Sequence, residues 1–320
     1  MVETLLSVVN LAAFYQVPEG VIRAVDNVNF NLKEKEILGI VGESGCGKST
    51  LAYSILRLLK PPGYIAGGKV LFKNINLLDL EEEKLRKLRW KEISYIPQSA
   101  MNALNPVMRI ENQIADAIKT HEKNISSIDL RRRIDEVLMS VGLDPYVARM
   151  YPHQLSGGMR QRAIIAMAIA LNPKLIIADE PVTALDVVTQ KGILQLLMDI
   201  RKKLNSSIIF ITHDMAVQAE IADRVGVMYA GKIVAISDVH TLFHKPLHPY
   251  AQALINAIPS IKEKKKIKGL KGLPPDLRNP PPGCRFHPRC PYYIPNKCDV
   301  IEPKLIEVKK DQFVACHLYG

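Results

Sequence analysis

Gly42-Glu43-Ser44-Gly45-Cys46-Gly47-Lys48-Ser49 decides the reading of this chain. The octapeptide fits the G-x-x-x-x-G-K-[ST] pattern at every fixed position and follows the apolar run Ile37-Leu38-Gly39-Ile40-Val41, which reads as a buried strand. Glycines in such a loop let backbone N–H groups turn toward an oxyanion. The helix expected over residues 48–58 aims the positive end of its dipole at the same point. In this arrangement Lys48 reaches the β and γ phosphates of a nucleotide and Ser49 is left to hold Mg²⁺. Gly42, Ser44, Gly45, Cys46, Gly47 and Thr50 complete the cradle.

Length and composition set the outer bounds. At 320 residues the chain has room for one large α/β domain plus an appendage, and 48% hydrophobic with 23% charged residues belongs to a globular protein with a full core. No apolar stretch reaches the roughly 18 residues of a membrane-spanning helix. The longest, residues 163–171, is stopped by Arg162 on one side and Asn172-Pro173 on the other. Met1-Val2-Glu3-Thr4 carries neither a basic leader nor a signal-type apolar segment, so a cytoplasmic address is expected. The net charge of +11 is uneven: residues 259–320 hold 13 Lys and Arg against 6 Asp and Glu, or +7, which leaves +4 for the rest. The densest part, Lys262-Glu263-Lys264-Lys265-Lys266-Ile267-Lys268, reads as a solvated linker, or as a face for anionic lipid or nucleic acid.

Strand-like runs fall at residues 4–9, 21–32, 36–41, 69–72, 92–96, 175–178, 207–211, 225–229 and 232–236, and the pattern from 106 to 171 is helical throughout. Strands before and after a helical block predict a sheet domain with an inserted helical subdomain. Proline becomes frequent from Pro246 onward, with six in residues 273–288, so a loop-rich module begins after about Ser237. No internal repeat is present.

A second phosphate-type grip narrows the class. Leu155-Ser156-Gly157-Gly158-Met159-Arg160-Gln161-Arg162 sets a serine and two glycines at the start of a helix expected over 159–171. Such a cap is common by itself; its meaning comes from its place between Lys48 and Asp179. In this order the motifs resemble those of the ATP-binding cassette (ABC) family, over about residues 4–237. The resemblance implies a P-loop ATPase core, a mixed sheet plus a RecA-like lobe, with a helical subdomain over about 99–172 inserted in a nucleotide-binding domain of residues 1–237.

The same resemblance assigns roles. Leu175-Ile176-Ile177-Ala178-Asp179-Glu180 is similar to the Walker B strand: Asp179 would hold Mg²⁺ through water, and Glu180 would orient or deprotonate the attacking water. Ala184-Leu185-Asp186 looks like the loop that signals across a cassette dimer, and His213 like the switch histidine at the γ phosphate. Gln98 resembles the glutamine that joins sheet to helical subdomain and touches Mg²⁺ and the water. Tyr15 stands where the family stacks an aromatic ring on adenine, with Phe14 beside it. Met159 replaces the glutamine that many cassettes carry, whereas Ser156, Gly157 and Gly158 remain. The family's geometry puts Ser156 of one subunit onto ATP held by the other, which implies a nearly inactive monomer.

Three further stretches resemble the oligopeptide and dipeptide importers: residues 99–106, the variant signature at 155–162, and Pro246-Leu247-His248-Pro249-Tyr250 at the start of a C-terminal extension, residues 238–320. The implied protein is an importer ATPase at the cytoplasmic face of the cell membrane. Its implied partners are a second ABC ATPase, commonly a paralogue, two permease subunits and an extracellular solute-binding protein. Peptides are the first expectation for the cargo, with oligosaccharides such as cello-oligomers, or nickel, as alternatives. A soluble cassette acting on nucleic acid is the rival class. Against it, the chain has one cassette, no coiled-coil insertion and no aromatic-interleaved basic surface.

Five cysteines occur. Cys46 lies in the phosphate loop, and Cys284, Cys290, Cys298 and Cys316 follow with 5, 7 and 17 residues between them. Four thiols on a proline-stiffened module too small for its own core suggest a stapled site: an iron-sulfur cluster, structural Zn²⁺ or two disulfides. A cytoplasmic setting disfavours disulfides, and the paired C-x-x-C knuckles usual for zinc are absent. Dipeptide-type ATPases with such a tail resemble carriers of a [4Fe-4S] cluster, with Zn²⁺ as the alternative. His287 and His317 flank the thiols as structural residues.

Overall fold

The computed structural model describes residues 3–98, 103–258, 270 and 272–320. The tract Ser99-Ala100-Met101-Asn102 and the basic run 262–268 lie outside the described residues. The chain divides into two compact units, Met1–Asp79 with Ile211–Gly320, and Leu80–Phe210.

In the first unit an antiparallel sheet has the order β2-β1-β4-β5, from β1 (Thr4–Val17), β2 (Gly20–Lys33), β4 (Gly63–Phe72) and β5 (Ile75–Asn76). β1 and β4 run well beyond the expected 4–9 and 69–72. Asn10 sits at φ 49 and the pairing registers shift beside it, so a bulge interrupts the period-two alternation that marks a strand in sequence. A second set of strands carries the phosphate loop. β3 (Ile37–Val41) lies parallel to β9 (Arg224–Tyr229), with Leu38 opposite Arg224 and Val41 opposite Val227. β10 (Lys232–Asp238) pairs antiparallel with β9, and the C-terminal strands β12 (Gln312–Val314) and β11 (Ile306–Lys309) extend the set from β10.

Every residue of β3 and β9 is buried, the pattern of strands covered on both faces. Val41, Val225, Val227 and Tyr229 share one core cluster with Tyr250, Ala251 and Phe286, against which Cys284 and Cys290 pack. Large side chains buried this fully contribute about 1.5–3 kcal/mol each, so the C-terminal segment is anchored on the strands that present the phosphate loop. Arg224 and Glu36 form a buried ion pair at 3.0 Å, and Glu36 also accepts the Lys33 N–H at 2.6 Å.

In the second unit β6 (Ile93–Ile96) lies parallel to β7 (Leu175–Asp179), with Ile93 opposite Leu175 and Ile96 opposite Ala178; β8 (Ser207–Thr212) is the other neighbour of β7. The helical block expected over 106–171 is met by helices Ile110–His121, Ser127–Ser140 and Gly157–Ile169, joined by 3₁₀ turns at Pro145–Arg149 and Pro152–Gln154. Three of these elements start where a side chain accepts an orphan N–H group: Ser126 from Asp129, Asp144 from Tyr146 and Ser156 from Met159. Each such cap is worth about 1 kcal/mol. The α/β class expected from sequence is the observed one.

Candidate active site

β3 delivers the chain directly into the loop of residues 42–49, and the helix Lys48–Ile55 begins inside it. Gly47, at φ 107, has no room for a side chain: a Cβ there would lie 1.9 Å from the Ala24 carbonyl oxygen. Gly45, at φ 79, faces open space, so its backbone is approachable. Lys48 is buried, and its ammonium donates to the carbonyls of Gly42 at 2.8 Å and Glu43 at 3.1 Å. Ser44 and Gly45 are exposed, whereas Cys46 is buried and burial pushes its thiol pKa up. A protonated thiol suits a neutral filler of the loop rather than a nucleophile. Ser49 and Thr50 are half-buried in the first turn of the helix, and the Thr50 hydroxyl shares a 3.2 Å hydrogen bond with the Tyr15 hydroxyl. Tyr15 thus stands at the edge of the loop, while Phe14 makes an edge contact with Tyr64, ring centroids 6.2 Å apart. His213, in the same unit, is exposed at the end of β8; Asp214 then caps the helix Met215–Ile221.

In the second unit, β7 ends in two carboxylates held differently. Asp179 is 1% exposed and accepts from the Tyr95 hydroxyl at 3.1 Å. Glu180 sits at φ 47, a left-handed conformation that costs a glutamate on the order of 1–3 kcal/mol. Its Oε2 accepts from Gln98 Nε2 and from the Thr183 hydroxyl, each at 3.0 Å. The structure therefore joins Gln98 to Glu180, as two residues of one hydrogen-bonded group. Ala184 is also left-handed, at φ 65, in the turn that leads to Asp186. Asp186 caps the helix Val187–Leu204 by accepting from Val188 and Thr189, and the bond from Thr189 leads in holding its carboxyl below the usual range. Sequence spacing did not single out Tyr95 or Thr183; Tyr95 stands on β6, where parallel pairing sets it opposite Ile177, close to the strand end that bears Asp179. Ser156 and Gly157, at the start of the helix Gly157–Ile169, are exposed, and a Cβ on Gly157 would meet only Leu185, at 3.8 Å.

The four C-terminal cysteines are free thiols. Burial pushes Cys284 up to about 11 and raises Cys290 and Cys316; the thiols also feel one another's charge. The expected preformed metal cage is not found: among the described residues no group of three or more His, Cys, Asp or Glu is placed to hold a metal ion. Zn²⁺ and an iron-sulfur cluster both need cysteine sulfurs converging on one site, and the described residues present no such site ready-made for either. Four cysteines are a donor set that either group uses, and binding of either would require the thiols to lose their protons.

Comparison with known proteins follows this geometry. A family profile described as ABC transporter matches residues 25–183, and one described as the oligopeptide/dipeptide transporter C-terminal region matches residues 234–298. The chain is 45% identical over 317 residues to the dipeptide transport ATP-binding protein DppD of Caldanaerobacter subterraneus subsp. tengcongensis, covering 98% of this chain and 97% of that protein. It is 44% identical to the oligopeptide transport ATP-binding protein OppD of Bacillus subtilis, covering 98% and 88%. Among solved structures, the ATP-binding cassette MJ0796, in a dimeric post-hydrolysis state bound to ADP and Pi, superposes with a TM-score of 0.66 at 32% identity, covering 73% of this chain and 98% of that one.

Proposed function

Because the chain belongs to the ABC transporter family, in the branch with the oligopeptide/dipeptide transporter C-terminal region, we propose that it is the ATP-hydrolysing subunit of a di- or oligopeptide importer. It uses ATP with Mg²⁺ and acts on membrane permease subunits that receive solute from a binding protein. The relatives over nearly the whole chain are peptide transporters, which favours peptides over oligosaccharides, nickel or nucleic acid. No helix among the described residues is long and apolar enough to cross a membrane; a peripheral place at the cytoplasmic face is proposed from the transporter family and its relatives.

The observation that carries the mechanism is the placement of Glu180: strained backbone, buried position, and two donors on the same oxygen. Those donors hold the carboxylate in one orientation, from which it would orient or deprotonate a water, with Gln98 as the neighbour that senses it. Mg²⁺ supplies charge neutralisation when bound, and Ser49, Gln98 and Asp179 are the residues proposed to hold it; hard oxygen donors of this kind suit it. Lys48 and the N–H groups of residues 44–49 stabilise the transferring phosphoryl oxygens, Tyr15 stacks on the base and His213 contacts the γ phosphate. Ser156, Gly157 and Gly158 are proposed to complete the site of a second cassette, with Asp186 in the loop between them; a paralogue is the favoured partner. Residues 1–237 are read as the nucleotide-binding domain, with its helical subdomain over about 99–172, and 238–320 as the extension.

An iron-sulfur cluster on Cys284, Cys290, Cys298 and Cys316 is proposed as a structural group of that extension, with no part in phosphoryl transfer. Broad visible absorbance and bound iron after anaerobic purification are expected; a colourless protein without iron would remove it. The importer reading is tested by reconstituting the complex with its permease. ATP-driven peptide uptake should be lost with Glu180→Gln, and uptake at the wild-type rate by that variant would overturn the assignment.

A further inference from the structure

Glu43, the second residue of the phosphate loop, has each of its polar groups held. Its N–H donates to the Tyr250 hydroxyl at 2.9 Å. Its carbonyl accepts from Lys48 Nζ at 3.1 Å and from the Cys46 N–H at 3.2 Å. Its carboxylate takes a two-pronged grip from Arg289, Nη1 to Oε2 at 2.7 Å and Nη2 to Oε1 at 3.0 Å. The side chain of Arg289 is 5% exposed and that of Glu43 is 24% exposed, so water screens this pair poorly.

Two of these holds come from the C-terminal segment. Tyr250 belongs to the His248-Pro249-Tyr250 stretch, where the fully buried His248 caps the helix Pro249–Asn256 by accepting the Tyr250 N–H. Arg289 ends the turn His287–Arg289 just before Cys290, and its guanidinium also donates to the Tyr229 hydroxyl at 3.3 Å. Tyr229, Tyr250 and Phe286 form a buried ring cluster with centroids 4.6, 5.2 and 5.4 Å apart, which fixes where both holds arrive. Arg285, four residues earlier, donates to the Ala230 carbonyl and pairs with Asp26, while the neighbouring Gly231 N–H donates to the Cys46 carbonyl at 2.9 Å.

We propose that Arg289 is a positioning residue for ATP binding: it neutralises Glu43 and, together with Tyr250, fixes the first turn of the phosphate loop in the form that receives the triphosphate. The proposal rests on reading residues 42–49 as the ATP loop. A buried ion pair is weak support for stability. The location of this one is what matters, because an uncompensated carboxylate within the cradle opposes the anion that the cradle must attract. The C-terminal segment thereby sets the charge of a catalytic loop more than two hundred residues away in sequence.

The test is steady-state ATPase kinetics of the assembled transporter, with thermal unfolding as a folding control. Arg289→Met is expected to raise KM for ATP roughly tenfold with kcat within about twofold, since a charge felt equally by bound substrate and transition state changes KM alone. Glu43→Gln added to Arg289→Met should bring KM back toward wild type, because the unpaired charge is gone. Arg289→Lys should lie between, keeping the charge and losing the fork. If Arg289→Met does not fold, Arg289→Lys with and without Glu43→Gln carries the same comparison. An unchanged KM in the folded variant overturns the proposal, as does a raised KM that Glu43→Gln fails to reverse, which would mark a purely structural role. Lys48→Ala separates the two levels. Loss of ATP binding there with an unchanged KM in Arg289→Met removes only the positioning role, whereas intact ATP binding in Lys48→Ala removes the loop reading itself.

Discussion

The phosphate loop and the Ser156-Gly157-Gly158 cap are both glycine-bearing helix starts with a hydroxyl, yet the loop is buried at Cys46 and Lys48 whereas the cap is exposed at Ser156 and Gly157. At the loop, Lys48 is buried, Gly47 abuts the Ala24 carbonyl, and Glu43 is held through its N–H, carbonyl and carboxylate. At the cap, Ser156 and Gly157 face solvent, and a Cβ on Gly157 would meet nothing closer than 3.8 Å. Helix dipole and free N–H groups favour an anion at either place, so the difference lies in what surrounds them. The contacts that hold the loop come from its own unit. The cap opens to solvent at Ser156 and Gly157, and the role proposed for it is on a nucleotide carried by another cassette.

The strongest way to break this comparison is at the chemistry proposed for both grips. Glu180→Gln should lower ATP turnover by about 10²–10⁴-fold, as expected for removal of a general base, while equilibrium binding of ATP persists. A phosphate-release assay alongside nucleotide binding checks it. Substitution at the cap comes next: Ser156→Arg should cost turnover on the order of 10²-fold and leave ATP binding by the isolated subunit intact, as for loss of one transition-state donor. If nucleotide binding by the lone subunit fell equally, the cap would belong to the subunit's own site.

Two glycine substitutions sharpen the contrast between embedded and exposed. Gly47→Ala should destabilise the fold by about 2–3 kcal/mol, because φ 107 and the Ala24 carbonyl both exclude a side chain. Gly157→Ala should shift stability by no more than about 0.5 kcal/mol yet reduce turnover roughly tenfold, since its Cβ intrudes only on what approaches from outside. Denaturant unfolding paired with ATPase rates separates the two.

An effect that vanishes above about pH 6.5 concerns the support of the embedded loop. Burial pushes the pKa of His248 down from 6.5 to about 3, and the ring caps the helix that bears Tyr250. The folded value is depressed, so as pH falls below 6.5 the unfolded chain takes up the proton first. Stability is complete above that point and declines toward about pH 3, by at most about 1.4 kcal/mol per pH unit from this group. The pH dependence of unfolding should flatten in His248→Asn; an unaltered slope would show that His248 does not carry the term.

Legibility followed locality. The phosphate loop, the cap and the strand ending in Asp179-Glu180 are contiguous, and their backbone demands are written in adjacent residues. The alternation in β1 stops being readable at residue 9 because of the bulge at Asn10, and β11 and β12, of four and three residues, are too short to show one. The bonds from Tyr95 to Asp179 and from Arg289 to Glu43 bridge 84 and 246 residues, and no spacing rule encodes such pairings. The cysteines show the same limit: their number suggested a ligand set, while the side-chain geometry, which is tertiary, shows thiols without a preformed cage.

The most direct measurement is the mass of Glu180→Gln protein in solution, alone and mixed with the proposed paralogous cassette, with and without MgATP. Two cassettes should associate only when ATP is present, and Ser156→Arg should abolish the association. A protein that hydrolyses ATP at full rate as a single cassette, with no nucleotide-dependent change in mass, would contradict the division of labour between the two grips.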